Sequence, residues 1–143
     1  MAALTRERDT LSRDAVLFEF PIIADTVLYA GGMGAMYAGG EVGPPGEGSP
    51  EAKVIGRVEE TADNRGGLGG ALRAKLRRGC FCYANSSGID QIGLADVGGP
   101  CYAVDDQTVA KTSNSGDRPI AGVVRDVGGR GVWVDFGVDA IIS

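Results

Sequence analysis

The stretch from Cys101 to Gly137, CYAVDDQTVAKTSNSGDRPIAGVVRDVGGRGVWVDFG, leaves the backbone few options. Its apolar runs are short, rich in β-branched and aromatic residues, and cut by Gly, Asp and Ser clusters, which is the signature of hairpins rather than helices. Cys101–Val104 reads as a strand that meets a polar turn at Asp105-Asp106-Gln107, and Thr108–Lys111 returns. Residues 112–118 form a loop. Ile120–Asp126 reads as a third strand, and Gly128-Gly129-Arg130-Gly131 supplies positions for positive φ. Val132–Phe136 closes the set. A strand's side chains alternate, so Val132, Val134 and Phe136 share one face, and Trp133 and Asp135 the other. A face of three apolar side chains must meet a core. Trp133 must then meet another layer or another chain, which makes it a candidate anchor.

The rest of the chain repeats this punctuation. Twenty-four glycines in 143 residues predict many tight turns and few long helices. Ala15–Phe20, Thr26–Ala30 and Val54–Glu60 read as strands. Pro21 ends the pairing of the first, and Gly31–Gly34 reads as a hairpin turn leading into residues 35–38. Residues 39–50, GGEVGPPGEGSP, and 61–70, TADNRGGLGG, read as loops. In Ala71–Arg78 the alternation puts Leu72, Ala74 and Leu76 on one face and Arg73, Lys75 and Arg77 on the other. Period two and flanking glycines favour a strand there, although the composition also suits a short helix. Gly79–Ala84 extends that strand or forms the next. The expected fold is mainly β: one compact, Gly-rich barrel or sandwich built of hairpins over residues 15–143, preceded by an extended arm over residues 1–14.

An internal echo runs through the chain. Ile55–Glu60, a glycine loop and Leu72–Leu76 resemble Ala121–Asp126, a glycine loop and Val132–Phe136. A true repeat predicts two related hairpins closing one small barrel or sandwich, with Gly56 and Gly122 at bulges or close backbone approaches. Unrelated hairpins would also look alike.

Chemistry is sparse. The chain has no His, so the commonest general base and metal ligand is missing. Cys80 and Cys82 lie two apart on a strand and point the same way, poorly placed to bridge each other. With Cys101 they read as reduced thiols of a cytoplasmic protein that binds no metal, since paired C-x-x-C spacing is missing and no apolar h-region follows Met1. Asp105-Asp106 is better explained as a turn than as a carboxylate pair. No phosphate-binding glycine motif is present. A net charge of −5 argues against a nucleic-acid surface. The basic strip Arg73, Lys75, Arg77 and Arg78 reads as a solvated face, a blunted edge strand or a contact for an acidic protein. The longest uncharged run, residues 26–40, is too short and Gly-rich to span a membrane. The profile is that of a binding or assembly module with no enzyme activity and no cofactor.

Gly79–Ser86, Ile92–Gly98, Cys101–Thr112, Ala121–Val124 and Gly131–Val134 resemble small proteins encoded in the head-gene clusters of tailed phages and prophages, the β-rich capsid decoration or cement proteins. Leu4–Thr10 is similar to their N-terminal segment. The resemblance implies a structural virion protein on the outer surface of the phage head, assembled in the host cytoplasm. Its partners would be the major capsid protein and further copies of itself, as a homotrimer. The arm residues Leu4, Thr5, Arg6, Arg8, Asp9, Thr10 and Arg13, together with Trp133, are the expected capsid or subunit contacts. The alternatives are another head–tail or tail component, or a small β-barrel ligand-binding module.

Overall fold

The computed structural model describes residues 2–11 and 16–136. Twelve short strands and two 3₁₀ turns make up its regular structure, with no α-helix among the described residues. The mainly β expectation holds, and its barrel form is realised. β8 (Cys80–Asn85), β9 (Pro100–Ala103), β10 (Thr108–Ala110), β11 (Ile120–Gly128) and β12 (Gly131–Asp135) close a five-stranded barrel. The circuit runs β11-β12-β8-β10-β9 and back to β11. Every pairing is antiparallel except the short parallel one between β8 and β10. Four of the five strands come from the 101–137 stretch. Val132, Val134 and Phe136 are buried, as the alternation required.

Five of the seven strands outside the barrel retrace the same circuit. They are β1 (Leu17–Pro21), β3 (Met33–Met36), β4 (Val42–Gly43), β5 (Lys53–Val58) and β7 (Arg73–Arg77). β1 pairs with β7 as β8 pairs with β12: Leu17 faces Arg77 and Phe18 faces Leu76, where Cys80 faces Asp135 and Phe81 faces Val134. β7 pairs with β5 as β12 pairs with β11, Arg57 facing Arg77 and Val123 facing Asp135. β3 pairs with β5 as β9 pairs with β11, and both ladders skip one residue before a glycine, Ile55 before Gly56 and Ala121 before Gly122. The first circuit is closed by a single parallel bridge, Ile22 to Val42, at the place where Asn85 meets Val109 in the second.

The correspondence extends to individual backbone hydrogen bonds. Gly31 N–H donates to Val58 O and Val58 N–H to Gly32 O, as Gly98 N–H donates to Val124 O and Val124 N–H to Gly99 O. Tyr37 N–H donates to Glu41 O as Val104 N–H donates to Thr108 O. Gly31 and Gly98 both hold φ of 92°, a left-handed conformation that a side chain would strain, so both repeats need glycine there. The internal echo is therefore a structural repeat of the five-strand circuit, to which the first half adds the β2–β6 pair. The expectation of two hairpins closing one barrel is corrected: each hairpin belongs to its own circuit, because β5 and β7 pair with β3 and β1 while β11 and β12 pair with β9 and β8.

Gly56 and Gly122 do mark bulges and close approaches. A Cβ on Gly56 would lie 2.8 Å from Arg77 O, and one on Gly122 would press on Asp135 O. The interiors have diverged in compensating ways. Gly34 in the first repeat sits against Leu76, and a Cβ there would collide with the Leu76 Cδ2 methyl. In the second repeat the equivalent places hold Cys101 and Val134, a larger residue against a smaller one, both buried. Close-packed interiors tolerate such exchanges when the summed volume is kept.

The repeats share one body. Ile120 pairs with Lys53, Met33 N–H donates 2.8 Å to Asp106 O, and Tyr83 Oη donates to Gly31 O. Met33, Ala35, Ala52 and Val54 pack in one apolar cluster with Val109, Val124 and Val134. Arg118, with its side chain 9% exposed, reaches Glu47 of the first repeat and Asp90 of the second.

Three local expectations are corrected. β2 (Val27–Leu28) does not form a hairpin with β3; it pairs with β6 (Ala62–Asp63), because the Gly31-Gly32 turn is committed to β5. The loops at 39–50 and 61–70 each contain a strand, β4 and β6. Val42 is fully buried, and buried Asn64 donates to Ile23 O and Leu68 O. Leu72 leaves the apolar face of Ala74 and Leu76, since it precedes the strand and is 40% exposed.

Candidate functional site

The predicted contact residues lie on two separate features. The first is the arm. Residues 2–11 are exposed throughout and form no strand or helix. Leu4 is 71% and Leu11 92% exposed, so neither joins a core cluster. Thr5, Arg6, Arg8, Asp9 and Thr10 are solvated, and Thr10 N–H donates to Arg8 O. Arg13, and the expected boundary between arm and domain at residues 14–15, lie outside the described residues. Ordering such a segment costs about 1–2 kcal/mol of backbone entropy per residue, and its few apolar groups cannot repay that without a partner.

The second feature is the outer wall of the barrel. Trp133 is 40% exposed, which removes it from the core and leaves it as a surface aromatic. Its cross-strand neighbours are Cys82 on β8 and Asp126 on β11. The Cys82 thiol lies 3.6 Å from Arg130 O. Arg125 Nε donates 3.1 Å to Asp135 on the same wall.

Duplication supplies an internal comparison for this wall. The place of Trp133 is taken by Lys75 in the first repeat, Cys82 by Glu19 and Ala84 by Pro21. Even the ion pair has a counterpart with its charges exchanged: Glu59 with Arg77 stands where Arg125 stands with Asp135. Each wall thus keeps one arginine–carboxylate pair; beyond it one wall carries Lys75 and Glu19, and the other Trp133, Cys82 and Ala84. On the charged wall each cation of the basic strip has a hydrogen-bond or ion-pair partner within the chain. Lys75 pairs with Glu60, Arg77 and Arg57 pair with Glu59, and Arg73 and Arg78 donate to the carbonyls of Glu19 and Phe136. Burial pushes the Glu59 carboxyl up, but the hydrogen bonds from Arg77 and Arg57 outweigh it and hold the group below its usual range. Sequence reasoning saw the cations of this strip but not the acids that face them, which come from the far end of β5.

Beside the aromatic wall a cleft of about 570 Å³ opens between the repeats. It is lined by Tyr29–Gly32 from the β2–β3 turn, Cys82–Ala84 from β8, and Asp106-Gln107 from the β9–β10 turn. Tyr29 is 58% exposed. Asp105-Asp106 does form the expected turn, with Gln107 N–H donating to Asp105. The Asp106 carboxyl is pushed up by partial burial and by the charge of Asp105. The sequence does not announce the cleft, because its walls are brought together by the packing of one repeat on the other.

Cys80 is exposed, Cys82 half-buried and Cys101 buried, all as free thiols. Among the described residues no cluster of three or more Cys, Asp or Glu is placed to hold a metal. No helix there is long and apolar enough to cross a membrane. Compared with protein-family models, curated proteins and solved structures, the chain gives no match.

Proposed function

We propose that the chain is a capsid decoration protein, which binds the outer surface of a phage head and ties neighbouring major-capsid subunits together. The observation that carries this reading is a ten-residue exposed arm in front of a body built of one closed barrel and a second strand circuit stapled to it, two features that suit attachment rather than turnover. The residue pattern shared with phage decoration proteins supports it. A ligand that binds only the assembled lattice stabilises that lattice by its binding free energy. An oligomer with several arms adds avidity, since its second and third contacts are intramolecular. In this reading the arm and the Trp133 wall are the contact elements, the major capsid protein and further copies of the chain are the partners, and the working form is a trimer. It acts on the virion exterior without cofactor or catalysis.

The test is deletion of residues 2–13. The truncated chain should keep its β spectrum and melting transition, because residues 2–11 contribute to neither core cluster. Its occupancy on shells lacking the protein should collapse. Full occupancy by the truncated chain would contradict the role given to the arm.

A further inference from the structure

We propose that the cleft between the repeats, continued across the Trp133 wall, is the seat for the N-terminal arm of a second copy of this chain. The inference rests on reading the arm as a contact element and assigns its partner surface.

Three observations carry it. The first is the difference between the two equivalent walls. Where the first repeat has Lys75, Glu19 and Pro21, the second has Trp133, Cys82 and Ala84, and where the first has Ala38-Gly39, the second has Asp105-Asp106. The same backbone thus presents a charged, internally partnered surface once and an aromatic surface ending in two acids once. The second observation is charge. Among the described residues neither Asp105 nor Asp106 has a cationic partner, and neither Arg6 nor Arg8 has an acidic one. Asp106 lines the cleft, Asp105 precedes it in the same turn, and both arginines stand on the exposed arm.

The third is spacing. In an extended arm Leu4, Arg6 and Arg8 share one face and Glu7 and Asp9 the other. Leu4 and Arg8 would then stand about 13 Å apart. From Trp133 on β12, across β8 to the end of β10, is two strand spacings, about 10 Å, and Asp106-Gln107 lie just beyond. Leu4 can therefore cover Trp133 and Cys82 while the two arginines reach the two aspartates. Tyr29 lines the same cleft and is exposed, which adds an aromatic ring within reach of a guanidinium group there. Arm and cleft are different surfaces, so the contact is heterologous and generates a ring where the rotation closes.

Charge reversal tests this in solution, without shells. Sedimentation velocity would be run on the full chain, on Arg6→Asp with Arg8→Asp, on Asp105→Arg with Asp106→Arg, and on all four substitutions together. The wild type should associate, each reversed pair should weaken association by roughly tenfold or more, and the combined variant should regain it. Circular dichroism checks folding, and Asp105→Asn with Asp106→Asn replaces the arginine pair if that variant does not fold. A monomeric wild type, unchanged association of either reversed chain, or a folded combined variant that stays apart would each overturn the proposal. Shell binding by a wild type that is monomeric in solution would leave the decoration reading standing and this one refuted. Association without shell binding would do the reverse.

Discussion

Exchanging a packed pair between the repeats gives a quantitative test of the duplication. Gly34 and Leu76 of the first repeat occupy the places of Cys101 and Val134 in the second. Gly34→Cys alone drives a Cβ into the Leu76 Cδ2 methyl, and Leu76 is only 2% exposed and cannot swing out. Overpacking of this kind costs about 1–3 kcal/mol. Leu76→Val alone removes a methylene from a buried site, which costs about 0.8–1.5 kcal/mol with the space it leaves. The double variant recreates the second repeat's pair, so the new side chain should fill what the valine vacates. Urea unfolding of the four chains should therefore give a favourable coupling of about 1–2 kcal/mol between the two positions. Strictly additive losses would mean that the two sites are not equivalent in packing, and the register correspondence would lose its energetic content.

Four other outcomes follow from the same structure. Trp133→Ala should lower monomer stability by only about 1–2 kcal/mol, since the ring is partly solvated, yet reduce the sedimenting mass; a large loss of stability at unchanged mass would return Trp133 to the core. Burial pushes the Cys101 thiol up to about 12, so a mild alkylating reagent should modify exposed Cys80 and spare Cys101 until the chain unfolds, as peptide mass mapping would show. Arg118→Ala should destabilise by about 1–3 kcal/mol, because it unties Glu47 and Asp90 from one buried guanidinium. The hydrogen bond from Thr112 and the Arg118 guanidinium hold the Asp90 carboxyl below its usual range against burial, so its stabilisation is present above the unfolded value near 3.9 and is lost as pH falls through the lower folded value. Melting temperature should drop on acidification, and Asp90→Asn should flatten that drop.

Much of the fold could be read from the chain because strands write their burial in alternating residues. The barrel wall at Val132–Phe136 and the Arg73–Arg77 strand were legible from period two alone. The duplication was only half legible. Ile55–Glu60 and Ala121–Asp126 share a glycine at the bulge, but the paired Gly31-Gly32 and Gly98-Gly99 lie in runs, GGMGAMY and GGPCYAV, whose side chains differ. What the two runs conserve is a backbone geometry, positive φ at the first glycine and hydrogen bonds to β5 or β11, and no residue pattern other than glycine records it. β4 and β6 were hidden because two-residue strands carry no period. The arm could be found from composition, as a charged segment with too few apolar groups to fold alone. The cleft could not, since Tyr29, Cys82 and Asp106 meet only when one repeat packs on the other.

The central claim, attachment to the outside of a phage head, is tested most directly by electron microscopy of particles assembled with and without the protein. The account predicts added density on the outer shell surface where capsid subunits meet, disappearance of that density in its absence, and earlier rupture of the bare particles on heating. Identical shells with and without the protein, or density confined to the portal or tail, would contradict it.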